Sequence, residues 1–360
     1  MDSLRIFLLL PFFSVFTQVG IASSFTQIKE IFNSEFFAST FIAITPLVSM
    51  IIGPLWGKFL SKYGEKRTYS ISLFFWGIIV MLISFFLYNP ILSIILRAVQ
   101  GFFDPVFYNI SLTGVSKSSL NIKNKSKFYG YIEIMGSLGA ILGPLILGSF
   151  FIYYPKQFLF LLSIIVLFYL FFTFKKIKNF EVDVLNKKEP KKFSLLILLA
   201  TFYGISVLIS IVALQVVLPI YVEQIYENAI LGKVIASLFS VGLMIGNFAK
   251  HKLIGIKKIM PIFTGIILFI SYLFIDNPII FLSILFIGGI FLGLSLTMSS
   301  EYASVLSKGF ENTGMSFFSS LRISGNIFGP YLAAMAIPNL FILLSALTIV
   351  STGLLFSEKD

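Results

Sequence analysis

Along this chain apolar residues neither alternate nor form one stripe of a helix. They run on for about 20 residues at a time between short polar interruptions, the length that carries a helix across the roughly 30 Å hydrocarbon core of a bilayer. A chain in lipid must satisfy its backbone N–H and C=O groups internally, and runs that are apolar on every side do so as helices. Twelve such runs are predicted spans: approximately 4–25, 37–60, 69–88, 90–115, 128–152, 157–174, 194–221, 229–249, 259–275, 278–300, 312–336 and 338–356. The connections between them are too short for a soluble domain. The first run also resembles a signal peptide, with Arg5 ahead of it and Gly20-Ile21-Ala22-Ser23-Ser24 as a small-residue site. Thr17 and Gln18 near its middle, and the eleven spans its removal would leave, favour a retained span.

Basic residues orient the spans. Of the 27 Lys and Arg, all but Lys29, Lys156, Arg97, Lys233 and Arg322 fall in one set of alternate loops, the termini and a central segment. By the excess of Lys and Arg in cytoplasmic loops, both termini are expected to be cytoplasmic in a multi-pass protein of the cell membrane. The acids Glu30, Glu35, Glu223, Glu227 and Asp276 fall on the other side. The net charge of +11 is therefore a topology signal and not a nucleic-acid footprint.

Composition agrees with the span pattern. Hydrophobic residues make up 57% and charged residues 12%, with a mean hydropathy of +0.96 and 43 Phe, too few charges to coat a water-soluble surface. With no Cys and a single His, His251, the chain has no disulfide framework, thiol chemistry or multi-histidine metal site. No GxSxG, HExxH or GxxxxGK[ST] pattern occurs, so neither a hydrolase nor an ATP-driven pump is expected, and no cofactor or metal.

The chain repeats itself. Gly139-Ala140-Ile141-Leu142-Gly143-Pro144 in the fifth span returns as Gly325-Asn326-Ile327-Phe328-Gly329-Pro330 in the eleventh, 186 positions later. The basic loop beginning Gly57-Lys58 has a counterpart after Gly246, displaced by 189. An even number of spans separates the copies, so both point the same way, as in transporters whose halves are related by an axis along the membrane normal. The predicted organisation is an N-terminal six-helix half (1–174), a cytoplasmic linker (175–193) and a C-terminal six-helix half (194–360).

These residues resemble the major facilitator superfamily over the whole chain. Gly53-Pro54-Leu55-Trp56 followed by Gly57-Lys58-Phe59-Leu60-Ser61-Lys62-Tyr63-Gly64-Glu65-Lys66-Arg67 is similar to that family's loop between spans two and three. Arg97-Ala98-Val99-Gln100-Gly101 resembles its fourth-span pattern. Gly130, Gly139, Gly143-Pro144 and Gly148 match the fifth-span spacing of its drug–proton antiporter branch. The resemblance implies an all-α fold of two six-helix halves, alternating access, and a conformational role for Gly57, Gly64, Lys66, Arg67, Gly139, Gly143, Pro144, Gly325, Gly329 and Pro330. Where relatives carry an acid that latches the cytoplasmic face, this chain has Ser61, and the acid stands instead at Glu65.

Charges inside spans are costly and mark pathways or pairs. Arg97, Gln100, Asp104 and Tyr108 form one polar stripe on the fourth span, and Pro105 is expected to kink the helix beside the acid. Asp104 is the first candidate proton carrier, the alternative being an ion pair with Arg97. Glu133 on the fifth span is the second, against a packing acid near the headgroups. Ser319, Arg322 and Asn326 share a face of the eleventh span, where Arg322 is a counter-charge for an anionic substrate or for Asp104 or Glu133. Gln18, Ser14, Tyr203, Ser206, Ser210 and Gln215 are further cavity candidates. Lys233 is expected to snorkel to the outer interface and His251 to be solvated.

The leading expectation is a monomeric secondary transporter in the bilayer that expels a small organic compound against proton entry. A facilitator or importer of a sugar- or nucleoside-like solute is a second reading, and a transport-inactive sensor or scaffold on a carrier fold is a third.

Overall fold

The computed structural model describes residues 2–118, 122–177, 195–226, 229–249, 260–274, 277–307, 311–327 and 337–357. The chain is all-helical over these residues: α1 Asp2–Leu8, α2 Leu10–Ala22, α3 Phe25–Phe32, α4 Glu35–Phe86, α5 Pro90–Phe103, α6 Pro105–Lys117, α7 Ile122–Leu142, α8 Ser149–Tyr153, α9 Pro155–Thr173, α10 Leu195–Tyr226, α11 Ala229–Ala249, α12 Met260–Leu273, α13 Pro278–Leu306, α14 Glu311–Arg322 and α15 Ile337–Ser357. Among the described residues, eight continuous helical stretches are long and apolar enough to cross a membrane, and two shorter apolar helices lie at Ile262–Ser271 and Asn339–Thr352.

The expected loop between the second and third spans is not a loop. Helix α4 continues through it and breaks at one residue, Gly64, whose φ of 75° and ψ of 168° suit a residue without a side chain. Fifty-two residues in one rod would reach about 78 Å, more than twice the hydrocarbon thickness, so the break turns one over-long helix into two of bilayer length. A short helix, α3, also stands where the sequence pattern shows only a connection.

Asn89 and Asn277 each accept a hydrogen bond from the backbone three residues on, at 3.1 and 3.3 Å, and each precedes a proline. Asn-Pro supplies an N-cap and a pre-set φ at the first helical position. The two pairs lie 188 positions apart, nearly the displacement of the other repeated features.

Buried apolar side chains form one core among residues 7–177, around Trp76 and Phe107, and another among residues 200–344, around Tyr203 and Phe281. A smaller third cluster joins the two parts, with Leu112, Val115, Tyr129 and Ile132 against Ala303, Met315 and Phe318. It lies beside Lys117 and Lys125, at the basic end of the bundle. Tyr129 donates to Ser304 Oγ at 2.6 Å across the same seam.

The repeated glycines sit where backbones touch. A Cβ on Gly139 or Gly143 would come within 2.7 Å of the Phe12 or Phe16 carbonyl on α2, and one on Gly325 within 2.8 Å of the Ile209 nitrogen on α10. Helices α2 and α10 thus each receive the corresponding glycine. Pro144 follows Gly143 at the start of a π-helical turn, Gly143–Gly148, that bends the end of this span. Gly329, Pro330, His251 and 178–194 of the linker region lie outside the described residues.

Candidate functional site

The fourth span divides where its proline predicts. Pro105 has no N–H to give the Gly101 carbonyl, and Ser49 Oγ donates to that oxygen at 3.0 Å instead. Trp56 Nε1 donates to the neighbouring Phe102 carbonyl at 2.7 Å. Helices α5 and α6 therefore meet at Asp104, whose own backbone stays helical (φ −58°, ψ −40°).

Asp104 is only 5% exposed and is held by neutral donors: Ser14 Oγ to Oδ2 at 2.9 Å and Trp76 Nε1 to Oδ1 at 3.1 Å. It forms no ion pair with Arg97. That guanidinium, fully buried, donates to Gln100 Oε1 at 2.6 Å, Gln18 Oε1 at 3.0 Å and the Phe41 carbonyl at 3.3 Å, and packs on the Phe41 ring. A buried cation satisfied by three neutral acceptors needs no carboxylate partner, and the seven-residue spacing keeps Asp104 out of reach.

Glu133, on α7, is 1% exposed and lies inside the bundle. Its Oε1 accepts from Arg322 NH1 at 2.8 Å and from Ser300 Oγ at 2.8 Å, while Oε2 is buried without a partner. Arg322 ends α14, donates also to Ser300 at 3.0 Å, and lies over the Tyr108 and Phe318 rings at 5.2 and 5.3 Å. Helix α14 stops here with turns at Ile323 and Ser324, which sets Arg322 at the end of a rigid element.

Both acids line one cavity, with room for about 100 Å³ of water-sized molecules. Gln18, Tyr108, Arg322, Asn326, Ser14 and Gln215 join them in its wall, with Leu208, Val212, Leu243 and Leu296 opposite. The cavity extends to Ala22 and Val216, towards the end away from the basic seam. Arg97 and Gln100 stand behind Gln18 and are absent from the lining. Tyr203, Ser206 and Ser210 are likewise buried but do not line it.

Several polar residues that the sequence reading passed over tie the two parts together. Asn247 donates to Ser137 Oγ at 2.9 Å and accepts from Thr297 at 2.7 Å. Asn109 accepts from Ser319 and donates to the Gly53 carbonyl at 3.2 Å. Trp76 was hidden among phenylalanines; as one of two tryptophans in an apolar chain its N–H needed a partner, and that was the available signal. Lys233 does not snorkel: it is 2% exposed and donates to the Gly148 carbonyl at 2.7 Å. At the basic end, Glu65 is buried and pairs with Lys117 Nζ at 2.9 Å, whereas Ser61 bonds back to the Gly57 carbonyl at 3.1 Å. Lys66 packs over the Phe174 ring and Arg67 is exposed.

The described residues thus form an all-helical, apolar bundle with buried charges lining a cavity. The family model for the Major Facilitator Superfamily matches residues 7–330, and the chain belongs to that family. It is 24% identical over 338 residues to the "Proton-coupled antiporter flippase LtaA" of two strains of Staphylococcus epidermidis, covering 88% of this chain and 81% of the relative. Among solved structures, the human organic anion transporter MFSD10 (TETRAN) superposes with a TM-score of 0.71 at 15% identity, over 98% of this chain and 99% of the other. A bacterial homologue of the iron transporter ferroportin, in an outward-facing state, superposes with a TM-score of 0.72 at 14% identity, over 98% and 99%. The protein is a multi-pass membrane transporter of this family.

Proposed function

We propose that the protein is a proton-coupled antiporter that expels a small organic compound by alternating access. Two six-helix halves, 1–174 and 194–360, joined by the linker 175–193, rock about the central cavity, with twelve spans and both termini cytoplasmic in the cell membrane. The observation that carries the coupling is two buried carboxyl groups in one cavity, Asp104 and Glu133, since intramembrane acids facing a cavity serve proton pathways. The distant likeness to a proton-coupled antiporter supports the same reading. Efflux rests on the fifth-span resemblance.

In this cycle Asp104 takes up a proton where the cavity opens to the outside and releases it when substrate enters from the cytoplasm. Substrate and proton then never occupy the site together, which is what exchange requires. Gly139, Gly143 and Gly325 let the spans slide at close quarters, and Glu65 with Lys117 braces the basic face in place of the acid absent at Ser61.

Purified protein in liposomes with an imposed pH gradient tests this against a panel of lipophilic cations, anions and sugars. Antiport predicts gradient-driven accumulation of one compound class and its loss in Asp104→Asn. Movement of a solute down its own gradient, indifferent to pH, replaces the proposal with a facilitator. Binding of a compound without movement replaces it with a sensor.

A further inference from the structure

The two oxygens of Asp104 are not equivalent, and their difference, resting on the antiport reading, assigns the coupled proton to one atom. Oδ1 accepts from Trp76 Nε1 at 3.1 Å and Oδ2 from Ser14 Oγ at 2.9 Å. An indole nitrogen only donates, whereas a hydroxyl both donates and accepts. Trp76 is fully buried against Phe107, 5.4 Å between ring centroids, and stands outside the cavity wall, so water cannot take over its N–H. Ser14 lines the cavity beside Asp104.

A proton reaching Asp104 therefore meets one oxygen whose partner can reverse and one whose partner cannot. On Oδ2, the new O–H donates to Ser14 Oγ, and the serine hydrogen turns towards the cavity. Oδ1 is then the carbonyl oxygen and keeps the Trp76 bond. On Oδ1, the new O–H would weaken that bond and leave a buried indole N–H without a good acceptor, a penalty the first placement avoids. We propose that Oδ2 carries the coupled proton, that Ser14 is the hydroxyl whose bond reverses when it binds, and that Trp76 is a positioning residue that reserves Oδ1 as an acceptor. Once the proton leaves, the ionised Oδ2 only accepts, so the substrate group seated there bears an N–H or O–H donor. The charged and titratable groups around Asp104 are Arg97 on α5, Tyr108 on α6, Glu133 on α7 and Arg322 on α14, with the neutral Gln18 on α2.

Infrared difference spectra, acid minus alkaline, of the protein in lipid nanodiscs without substrate contain the C=O stretch of a protonated carboxyl group. The band that disappears in Asp104→Asn belongs to Asp104. A donor on the carbonyl oxygen lowers this stretch, so Trp76→Phe should move the band to higher frequency and Ser14→Ala should move it less. Ser14→Thr, which keeps a hydroxyl, should leave it in place. A larger shift in Ser14→Ala than in Trp76→Phe, equal shifts, or no Asp104 band at any pH overturns the assignment. The chain's two tryptophans, Trp56 and Trp76, give a second reading without altering the triad. With nitrogen-15 in the indoles and the signals assigned by Trp56→Phe, the Trp76 N–H should stay shielded from exchange with water in acid and in alkali. Exchange in acid would show that Trp76 lets go of Oδ1, and overturns the proposal even where Trp76→Phe fails to fold. None of these readings uses transport, so failure of antiport in liposomes with the band shifts intact counts against the antiport reading alone.

Discussion

Removing either member of the Glu133–Arg322 bridge exposes how much the two parts of the bundle owe to it. The N···O distance is 2.8 Å with side chains 1% and 4% exposed. At an effective dielectric of 20 two unit charges at that distance attract by about 6 kcal/mol, most of which desolvation offsets. Breaking a fully buried pair costs about 3–5 kcal/mol, and water in the adjoining cavity brings each single truncation here to about 2–4 kcal/mol. Glu133→Ala is the milder of the two, because Arg322 keeps the Tyr108 and Phe318 rings, while Arg322→Ala leaves Glu133 only Ser300. The double variant removes both charges and strands neither. Its cost therefore falls short of the summed singles by about 2–3 kcal/mol, near the top of the range for residues in direct contact. Reversible SDS unfolding in mixed micelles of the four proteins closes the cycle. A coupling below about 0.5 kcal/mol would refute the bridge as a tie between the parts.

Three further perturbations address the surrounding framework. Gly53→Ala puts a methyl into the Ser320 side chain of α14, and should lower stability by about 1–3 kcal/mol in thermal unfolding, with Ser320→Gly restoring most of it. Asn247→Ala strips partners from Ser137 and Thr297 and should cost about 1–3 kcal/mol; Asn247→Asp, which cannot donate to Ser137, should not rescue it. Glu65→Gln removes the charge facing Lys117, 13% exposed, and should raise protease cleavage at the basic end; equal cleavage at matched total stability would show that this pair braces nothing.

The apolar helices and the family motifs were legible because each is local: length of apolar run, spacing of glycines, and a proline beside an acid. The division of the helix at Asp104 follows from one residue lacking an N–H, and the structure adds what no local pattern holds, that Ser49 supplies the missing donor to the Gly101 carbonyl and Trp56 donates to the Phe102 carbonyl beside it. Pairings were not legible. Arg97 and Asp104 share a stripe yet do not pair, because a guanidinium can be satisfied by Gln18 and Gln100 from a neighbouring helix and the next turn. Glu133 and Arg322 lie 189 positions apart, and only the packing of α7 against α14 brings them within 2.8 Å. Lys233 has the position of a snorkelling residue by depth alone; which way its helix face turns depends on the Gly148 carbonyl opposite. The loop at 57–67 was misjudged because Lys and Ser there suit a solvated helix as well as a turn, and only Gly64 breaks it.

Proton movement on substrate addition is the most direct test of coupling. Liposomes carrying the protein and an internal pH dye, with no imposed gradient, receive each compound of the panel in turn. A compound added outside moves inwards, so antiport drives protons out: the account predicts internal alkalinisation with one compound class in the unaltered protein, and silence in Asp104→Asn. Proton movement that persists undiminished in Asp104→Asn, or movement in the same direction as the compound, would contradict it.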